Sequence, residues 1–255
     1  MTPAMIDLAA PFRWEGEHVA IDLPGAHALF TTRRGGVSDG PFATLNLGLW
    51  TDDEPERVLA NRERVAEHVG LPRERFAQGR QVHGTGVRRL AAPPEPGEEP
   101  EPGDGQATAL PAVAPVVLVA DCLPLALAAE GAVAMLHAGW RGLAGGIVAE
   151  GVRALRELGG EGDVHAAIGP GAGPCCYEVG DEVAEAFAAH GPDVLQGRRL
   201  DLKLIARREL EAAGAAQVHD TGLCTICADS ELFFSHRRDG GRTGRQAGIC
   251  WRATA

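Results

Sequence analysis

Short apolar runs bounded by turn-forming residues recur along this sequence and predict a protein rich in strands. Valine, isoleucine, phenylalanine and leucine are concentrated in these runs, as expected of strands that pack against a core. The nine predicted strands span residues 26–32, 80–87, 115–121, 123–129, 132–138, 164–168, 216–219, 232–236 and 246–251.

A second pattern, with apolar residues three and four positions apart, predicts four helices over residues 53–70, 143–158, 181–189 and 201–213. Pro55 suits the first turn of the first helix, and Gly70 ends it. Predicted strands outnumber helices by about two to one. This ratio favours an α/β protein with a mixed sheet, or two stacked sheets, flanked by helices rather than a regular alternation of strand and helix.

The length and composition of the chain predict one domain over residues 1–255. With 45% hydrophobic residues, the 255-residue chain has enough apolar side chains for one large core. Residues 91–106, AAPPEPGEEPEPGDGQ, are rich in proline, glutamate and glycine and predict a solvated loop. We place this loop inside the domain because candidate chemical residues lie on both sides of it.

The formal charge of −11 argues against nucleic acid as a partner, since phosphate contacts need a basic surface. Apolar stretches stay well short of the roughly 20 residues that cross a bilayer. The N-terminal residues do not have the pattern of a secretory signal. We therefore expect a cytoplasmic protein, without a membrane partner, in which the six cysteines stay reduced.

Residues 120–142, ADCLPLALAAEGAVAMLHAGWRG, predict a β-hairpin with a two-residue Glu-Gly turn. In this register Pro124 faces His137, and Cys122 becomes a diagonal neighbour of His137 on the same face. Their side chains can then converge on one metal ion. His83, which lies beside a glycine in the segment QVHGTGV, is a candidate third ligand.

Two histidines and one thiolate form a zinc ligand set that leaves a fourth position open, which is typical of a catalytic ion. Such an ion can lower the pKa of bound water. Two other interpretations of this pair remain open: an ordinary buried thiol beside a core histidine, or a metal-free Cys–His nucleophilic dyad.

Other cysteine and glycine patterns are weaker. Cys224 and Cys227 form a C-x-x-C pair, but Cys175 and Cys176 are adjacent where a zinc site would favour a second such pair. We interpret these four as ordinary structural cysteines. The dinucleotide motif G-x-G-x-x-G and the P-loop motif are both absent from the sequence.

Arginines beside glycines are candidate anion contacts, since a guanidinium can bind phosphate through two hydrogen bonds. Arg33 and Arg141 are the candidate substrate-binding residues, and a further basic segment covers residues 237–245. Arg141 is favoured because Gly142 is predicted to open a helix, whose N-terminal N–H groups also attract phosphate.

Six motifs together closely resemble the YfiH family, also called laccase-domain, multicopper polyphenol oxidase or peptidoglycan-editing-factor proteins. They are TTRRGGVSDGPFATLNLG, QVHG, ADCLPL, HAGWRGLAGGI, IGPGAGPCCYEVG and FFSHRRDGGRTGRQAG, in the order of the family. The resemblance implies an α/β fold like that of cytotoxic-necrotizing-factor deamidase domains, with zinc at the positions of His83, Cys122 and His137. One departure is Ile205-Ala206-Arg207, where many relatives have an asparagine.

The resemblance also implies catalytic roles for these three residues. The implied activity is phosphorolysis of purine nucleosides (adenosine, inosine and 5′-methylthioadenosine) together with adenosine deamination. Copper-dependent phenol oxidation, editing of a cell-wall precursor by an amidase, and non-catalytic metal binding are the alternatives. A multicopper oxidase needs several copper ions and many histidines, often in H-x-H pairs. The nine histidines here include no such pair, which favours the nucleoside enzyme with zinc over copper.

Overall fold

The structure is a computed structural model of the protein. It describes residues 6–95, 97 and 99–253. The strands of this described part are β1 (Arg13–Glu15), β2 (His18–Leu23), β3 (Ala26–Phe30), β4 (Phe76–Gln78), β5 (Val87–Leu90), β6 (Gly105–Thr108), β7 (Ala114–Val119), β8 (Leu123–Glu130), β9 (Ala132–Ala138), β10 (Glu161–Ile168), β11 (Leu195–Gln196), β12 (Arg199–Leu200), β13 (Ala215–Asp220) and β14 (Gln246–Arg252). The α-helices are α1 (Pro55–Val69), α2 (Trp140–Ala144), α3 (Ile147–Glu157), α4 (Asp181–Ala186) and α5 (Leu202–Ala212).

Twelve of these strands form two six-stranded sheets. The first sheet has the order β1-β2-β3-β14-β7-β4, and the second has the order β13-β10-β8-β9-β6-β5. Each sheet is mixed, because β4–β7, β5–β6 and β10–β13 pair in parallel while the other neighbours pair antiparallel.

The two sheets pack face to face, and helices cover both outer faces. Val117 of the first sheet and Met135 of the second lie in one buried cluster between the sheets. On the far side of the second sheet, α3 packs on β8 and β9 and buries Ile147, and α5 packs on β10 and β13 and buries Ile205. On the far side of the first sheet, α1 buries Val65. The predicted class, an α/β fold with mixed, stacked sheets flanked by helices, is therefore confirmed.

Two helix predictions differ in detail from the structure. The helix predicted over residues 143–158 is interrupted, because Gly146 adopts φ +90 in the left-handed region and separates α2 from α3. Helix α2 also begins at Trp140, so Gly142 does not open a helix as predicted. The helix predicted over 181–189 ends at Ala186 and continues only as a short 3₁₀ turn.

Two strand predictions are wrong. Residues 80–86 form a loop, and only Val87 of the predicted segment lies in a strand, β5. Leu232, Phe233 and Phe234 are buried, but they do not pair in a sheet. The side-chain amide of Gln246 forms hydrogen bonds with the backbone N–H and carbonyl of Phe234, at 2.7 and 3.1 Å. Strands β1, β2, β4, β6, β11 and β12 were not predicted.

The predicted solvated loop over residues 91–106 is wrong for its last four residues. Gly103 and Asp104 are buried, and Gly105 and Gln106 are buried residues of β6. Residues 96 and 98 lie outside the described part. Because the segment is rich in proline, glutamate and glycine, its composition gave no indication of β6, which pairs with both β5 and β9.

The hairpin register is as predicted. Strands β8 and β9 pair antiparallel with Pro124 opposite His137, and pairing ends where Leu123 faces Ala138. Cys122 thus lies immediately before β8, beside the end of β9. Among the described residues, no helix has the length and apolar character needed to cross a membrane.

The burial of His18 leads to a prediction about how the free energy of unfolding depends on pH. Its ring is buried in β2, and Nδ1 accepts a hydrogen bond from the Thr32 backbone N–H at 3.3 Å. Burial, with a smaller contribution from nearby His68, lowers the pKa of His18 to about 4. Because the folded-state pKa lies below the unfolded value of about 6.5, protons bind preferentially to the unfolded chain as pH falls from 6.5 towards 4.

We expect this preference to remove roughly 3 kcal/mol of stability over that range, since one pKa unit corresponds to about 1.4 kcal/mol. His18→Gln keeps a hydrogen-bond acceptor but does not titrate. Urea unfolding at pH 7 and pH 4 should therefore show a loss smaller by about that amount in the variant. Equal losses in the two proteins would contradict the assignment, since other titrating groups are common to both.

Candidate metal centre and cavity

The structure brings the three predicted ligands together. The ligand atoms of His83, Cys122 and His137 all lie within 4.8 Å of one another, and the two imidazole rings meet edge to face with centroids 4.9 Å apart. Gly139 makes this approach possible. A Cβ at Gly139 would lie 3.0 Å from Cys122 Sγ and 3.3 Å from the His83 ring.

Asp104 positions both histidines. Its Oδ1 lies 2.8 Å from His137 Nδ1 and accepts the backbone N–H of His83 at 2.9 Å. Its Oδ2 accepts the N–H groups of Val82 and Gly84 at 3.1 and 2.8 Å. The bond to Nδ1 leaves Nε2 of His137 as the nitrogen available to a metal. The three N–H bonds hold His83 at φ +58, in the left-handed region.

Asp104 was not predicted as a site residue, because it lies inside the segment interpreted as a solvated loop. Its side chain is fully buried. A signal was present in the spacing: Gly103 and Gly105 flank the aspartate, and a largely apolar stretch follows. Glycines on both sides of a carboxylate permit close approach of other backbone groups.

Cys122 and His137 each favour the charged form of the other. Burial opposes ionisation of the thiol, but His137 and the hydrogen bonds from both histidines lower the pKa of Cys122 to about 6. Burial likewise opposes protonation of His137, but the Cys122 thiolate and Asp104 raise its pKa to about 9. A thiolate with two imidazoles, one of them held by a carboxylate, fits the ligands and the surroundings that zinc prefers.

A cavity of about 430 Å³ opens onto this cluster. Such a volume is in the range of small-molecule sites. Its wall combines the three candidate ligands with aromatic and cationic side chains, namely Trp50, Trp140, Tyr177, His236, Arg141, Arg237 and Arg245. The composition suits a flat, uncharged ring bound beside an anion.

The two predicted substrate-binding arginines lie in different places. Arg141 lines the cavity, and its guanidinium stacks 4.3 Å from the centre of the Trp140 ring. Arg33 does not line the cavity; it donates hydrogen bonds to the carbonyls of Ala43 and Ser230. Arg237 and Arg245 of the predicted basic segment do line it.

A neighbouring cavity of about 720 Å³ shares Trp50, Gln78 and Leu118 with the first. Its described lining includes the Pro- and Glu-rich residues that follow β5, and it includes no histidine or cysteine. We therefore place the chemistry in the smaller cavity.

The fold and the cavity together define a class of protein: a two-sheet α/β sandwich with a two-histidine, one-cysteine centre beside a central hairpin. The sequence model of a family described as "Multi-copper polyphenol oxidoreductase laccase" matches residues 27–253. The chain belongs to this laccase-domain family, also known as the YfiH family.

Relatives within the family carry the name purine nucleoside phosphorylase. The protein YlmD of Geobacillus stearothermophilus, "Purine nucleoside phosphorylase YlmD", is 40% identical over 249 residues, which cover 87% of this chain and 88% of that protein. A "Purine nucleoside phosphorylase" of Deinococcus radiodurans is 43% identical over 234 residues, covering 89% and 88%.

Solved structures agree with the fold. The crystal structure of YlmD from Geobacillus stearothermophilus superposes with a TM-score of 0.87 at 37% identity, covering 95% of this chain and 99% of that one. YfiH of Bacillus licheniformis, titled a hypothetical protein, gives a TM-score of 0.87 at 31% identity, covering 96% and 100%.

The role of Asp104 yields a prediction about metal affinity. Asp104→Asn should weaken zinc binding at the His83, Cys122 and His137 site by about 10- to 100-fold, because the amide no longer fixes His137 as a carboxylate does. Competition with a chelator measures the affinity, with Cys122→Ala as the blank. Asp181→Asn is the matched control, since the Asp181 side chain is 96% exposed. Unchanged affinity in Asp104→Asn would contradict this role.

Proposed function

We propose that the protein is a zinc-dependent purine nucleoside phosphorylase that also deaminates adenosine. The observation that carries this proposal is the cavity itself, in which one two-histidine, one-cysteine cluster faces aromatic rings and three arginines. The names of the relatives support the phosphorylase activity. Adenosine, inosine and 5′-methylthioadenosine are the proposed substrates.

His83, Cys122 and His137 would hold the zinc ion and are the proposed catalytic residues. When bound there, zinc supplies a Lewis acid and lowers the pKa of a water molecule. The chain contributes three protein ligands, which leaves a position free in a four-coordinate site. Asp104 would keep His137 in the tautomer that ligation requires.

The arginines of the cavity would bind inorganic phosphate. A guanidinium offers two parallel N–H donors to phosphate oxygens. Arg141 is the favoured contact because its side chain is exposed in the cavity and its ring partner, Trp140, leaves the N–H edges free. Arg245 is half-buried, and two of its hydrogen bonds already go to backbone carbonyls. Arg33 bonds elsewhere, so we do not assign it to phosphate.

In phosphorolysis a phosphate oxygen forms a bond to ribose C1′ while the bond from C1′ to purine N9 breaks. The base leaves with the bonding electron pair and takes up a proton. In deamination water displaces ammonia at purine C6. The role of the chain in both reactions is to orient the nucleoside between aromatic walls and to shield it from solvent.

Two other functions make different demands on the structure. The family description names a multicopper oxidase, which requires several copper ions. In the described part of the chain, a single cluster contains histidine, and it has only two. Without a metal, Cys122 and His137 alone would instead suit an amidase that edits a cell-wall precursor.

The proposed location is the cytoplasm, where a free thiolate ligand stays reduced. Nucleosides and inorganic phosphate are the proposed partners.

Incubation with adenosine separates these functions. With phosphate we expect adenine and ribose 1-phosphate, together with inosine and the hypoxanthine that its phosphorolysis releases; without phosphate we expect inosine alone. Arg141→Ala should raise the KM for phosphate by roughly tenfold or more, for a lost interaction of about 1.5 to 3 kcal/mol, and should leave inosine formation intact. Arg153→Ala is the matched control, because Arg153 is exposed and pairs with Glu150 on α3.

Chromatography of the products, run beside an oxygen electrode with a phenol, completes the test. Oxygen uptake without a purine product would contradict the proposal in favour of the copper oxidase. Undiminished activity after complete removal of metal would favour the Cys–His dyad.

A further inference from the structure

Four cysteines outside the cavity wall form a second cluster. The Sγ atoms of Cys175, Cys176, Cys224 and Cys227 all lie within 4.8 Å of one another. The sheet topology explains why these cysteines lie together. Strands β10 and β13 pair in parallel, so both strands end at the same edge of the sheet. The loops that follow these strands therefore meet, and each carries two of the cysteines.

Cys175 and Cys176 are adjacent in sequence, which argued against a metal site. In the structure they lie on a turn that begins at Gly173. The backbone N–H groups of Cys176 and Tyr177 both donate to the Gly173 carbonyl, at 3.1 and 3.0 Å. Successive side chains on such a helical turn point about 100° apart. The side chains of Cys175 and Cys176 can therefore both reach one metal ion, although the two residues are adjacent in sequence.

The two loops are held together by backbone contacts that do not depend on the sulfurs. Gly171 N–H donates to the Leu223 carbonyl at 3.3 Å, and Thr225 N–H donates to the Gly171 carbonyl at 3.0 Å. Gly173 is required at the centre, since a Cβ there would lie 3.1 Å from Cys224 Cβ. The cluster is therefore built into the fold before any ion binds.

The Sγ of Cys224 accepts a backbone hydrogen bond, from the Gly173 N–H at 3.2 Å. Donors aimed at a sulfur stabilise its negative charge. The six cysteines of the protein are all free, and the 3.3 Å between Cys175 and Cys227 is well above the roughly 2.05 Å of a disulfide.

We propose that these four cysteines bind a structural zinc ion as a tetrathiolate. Zinc–sulfur bonds of about 2.3 Å in a tetrahedron place the sulfurs roughly 3.8 Å apart, which the observed cluster can reach with small side-chain rotations. The exposure of Cys175 and Cys227 provides a route of entry for the ion. With all four positions occupied by protein, the ion would take no direct part in catalysis.

The position of this centre explains what it would stabilise. Ala172 N–H donates to the Asp121 carbonyl at 2.7 Å, and Thr225 Oγ1 donates to Asp121 Oδ1 at 2.7 Å. Asp121 precedes Cys122 and adopts φ +93. Tyr177, which follows the first pair of cysteines, lines the cavity. The tetrathiolate would clamp the two loops that hold this part of the cavity wall.

The test uses full-length protein purified under reducing conditions without added metal. Cys122→Ala removes the thiolate of the first site, so we expect it to retain about one zinc per chain. Its zinc X-ray absorption should show four sulfurs at about 2.3 Å. Adding Cys176→Ser or Cys227→Ser should remove that zinc, whereas adding Cys250→Ala should not, because Cys250 is buried in β14 away from both clusters.

Wild-type protein provides a measurement that no folding defect can affect. With both sites filled, one sulfur at the first and four at the second give an average of about 2.5 sulfurs per zinc. This proposal does not rest on the proposed function. Wild-type protein with a single zinc bound by four sulfurs would exclude zinc at the His83, Cys122 and His137 site and would still support the tetrathiolate site. Metal-free Cys122→Ala, a Cys175–Cys227 disulfide, or bound iron with inorganic sulfide would overturn it.

Discussion

The bonds of one buried carboxylate determine the arrangement of the whole metal centre. Asp104 fixes the His137 ring and accepts three consecutive backbone N–H groups around His83. Because a buried carboxylate is costly unless each oxygen is bonded, the loop that contains His83 has few other conformations available. The hairpin supplies Cys122 and His137, and Asp104 ties His137 to the loop of His83 through hydrogen bonds to both. Loss of this residue should therefore loosen the centre without disturbing the two sheets.

Local patterns in the sequence predicted those parts of the fold that depend on local interactions. The β8–β9 register follows from a short turn and from alternation, and it places Cys122 near His137. Strand β6 was not predictable in this way, because its neighbours β5 and β9 come from distant parts of the chain. For the same reason Asp104, immediately before β6, was mistaken for part of a solvated loop.

The candidate site, like the fold, was predicted only where local sequence patterns or family motifs indicated it. Three ligand positions followed from the hairpin, from a histidine beside a glycine and from family motifs. The hydrogen-bond partners of Arg33 needed the structure, because the carbonyls of Ala43 and Ser230 are remote in sequence from each other. The meeting of the two cysteine pairs likewise depends on the parallel pairing of β10 with β13. Sequence spacing carries no information about such long-range pairing.

We infer that Asp104 orients a site in which His83, Cys122 and His137 bind zinc and leave one position open to substrate or water. A crystal structure with anomalous data collected on both sides of the zinc absorption edge would locate the metal. We expect a zinc peak about 2.0 to 2.3 Å from one atom of each of the three residues, with a non-protein fourth ligand. A fourth protein ligand at that ion, copper in its place, or no metal between the three side chains would contradict the account.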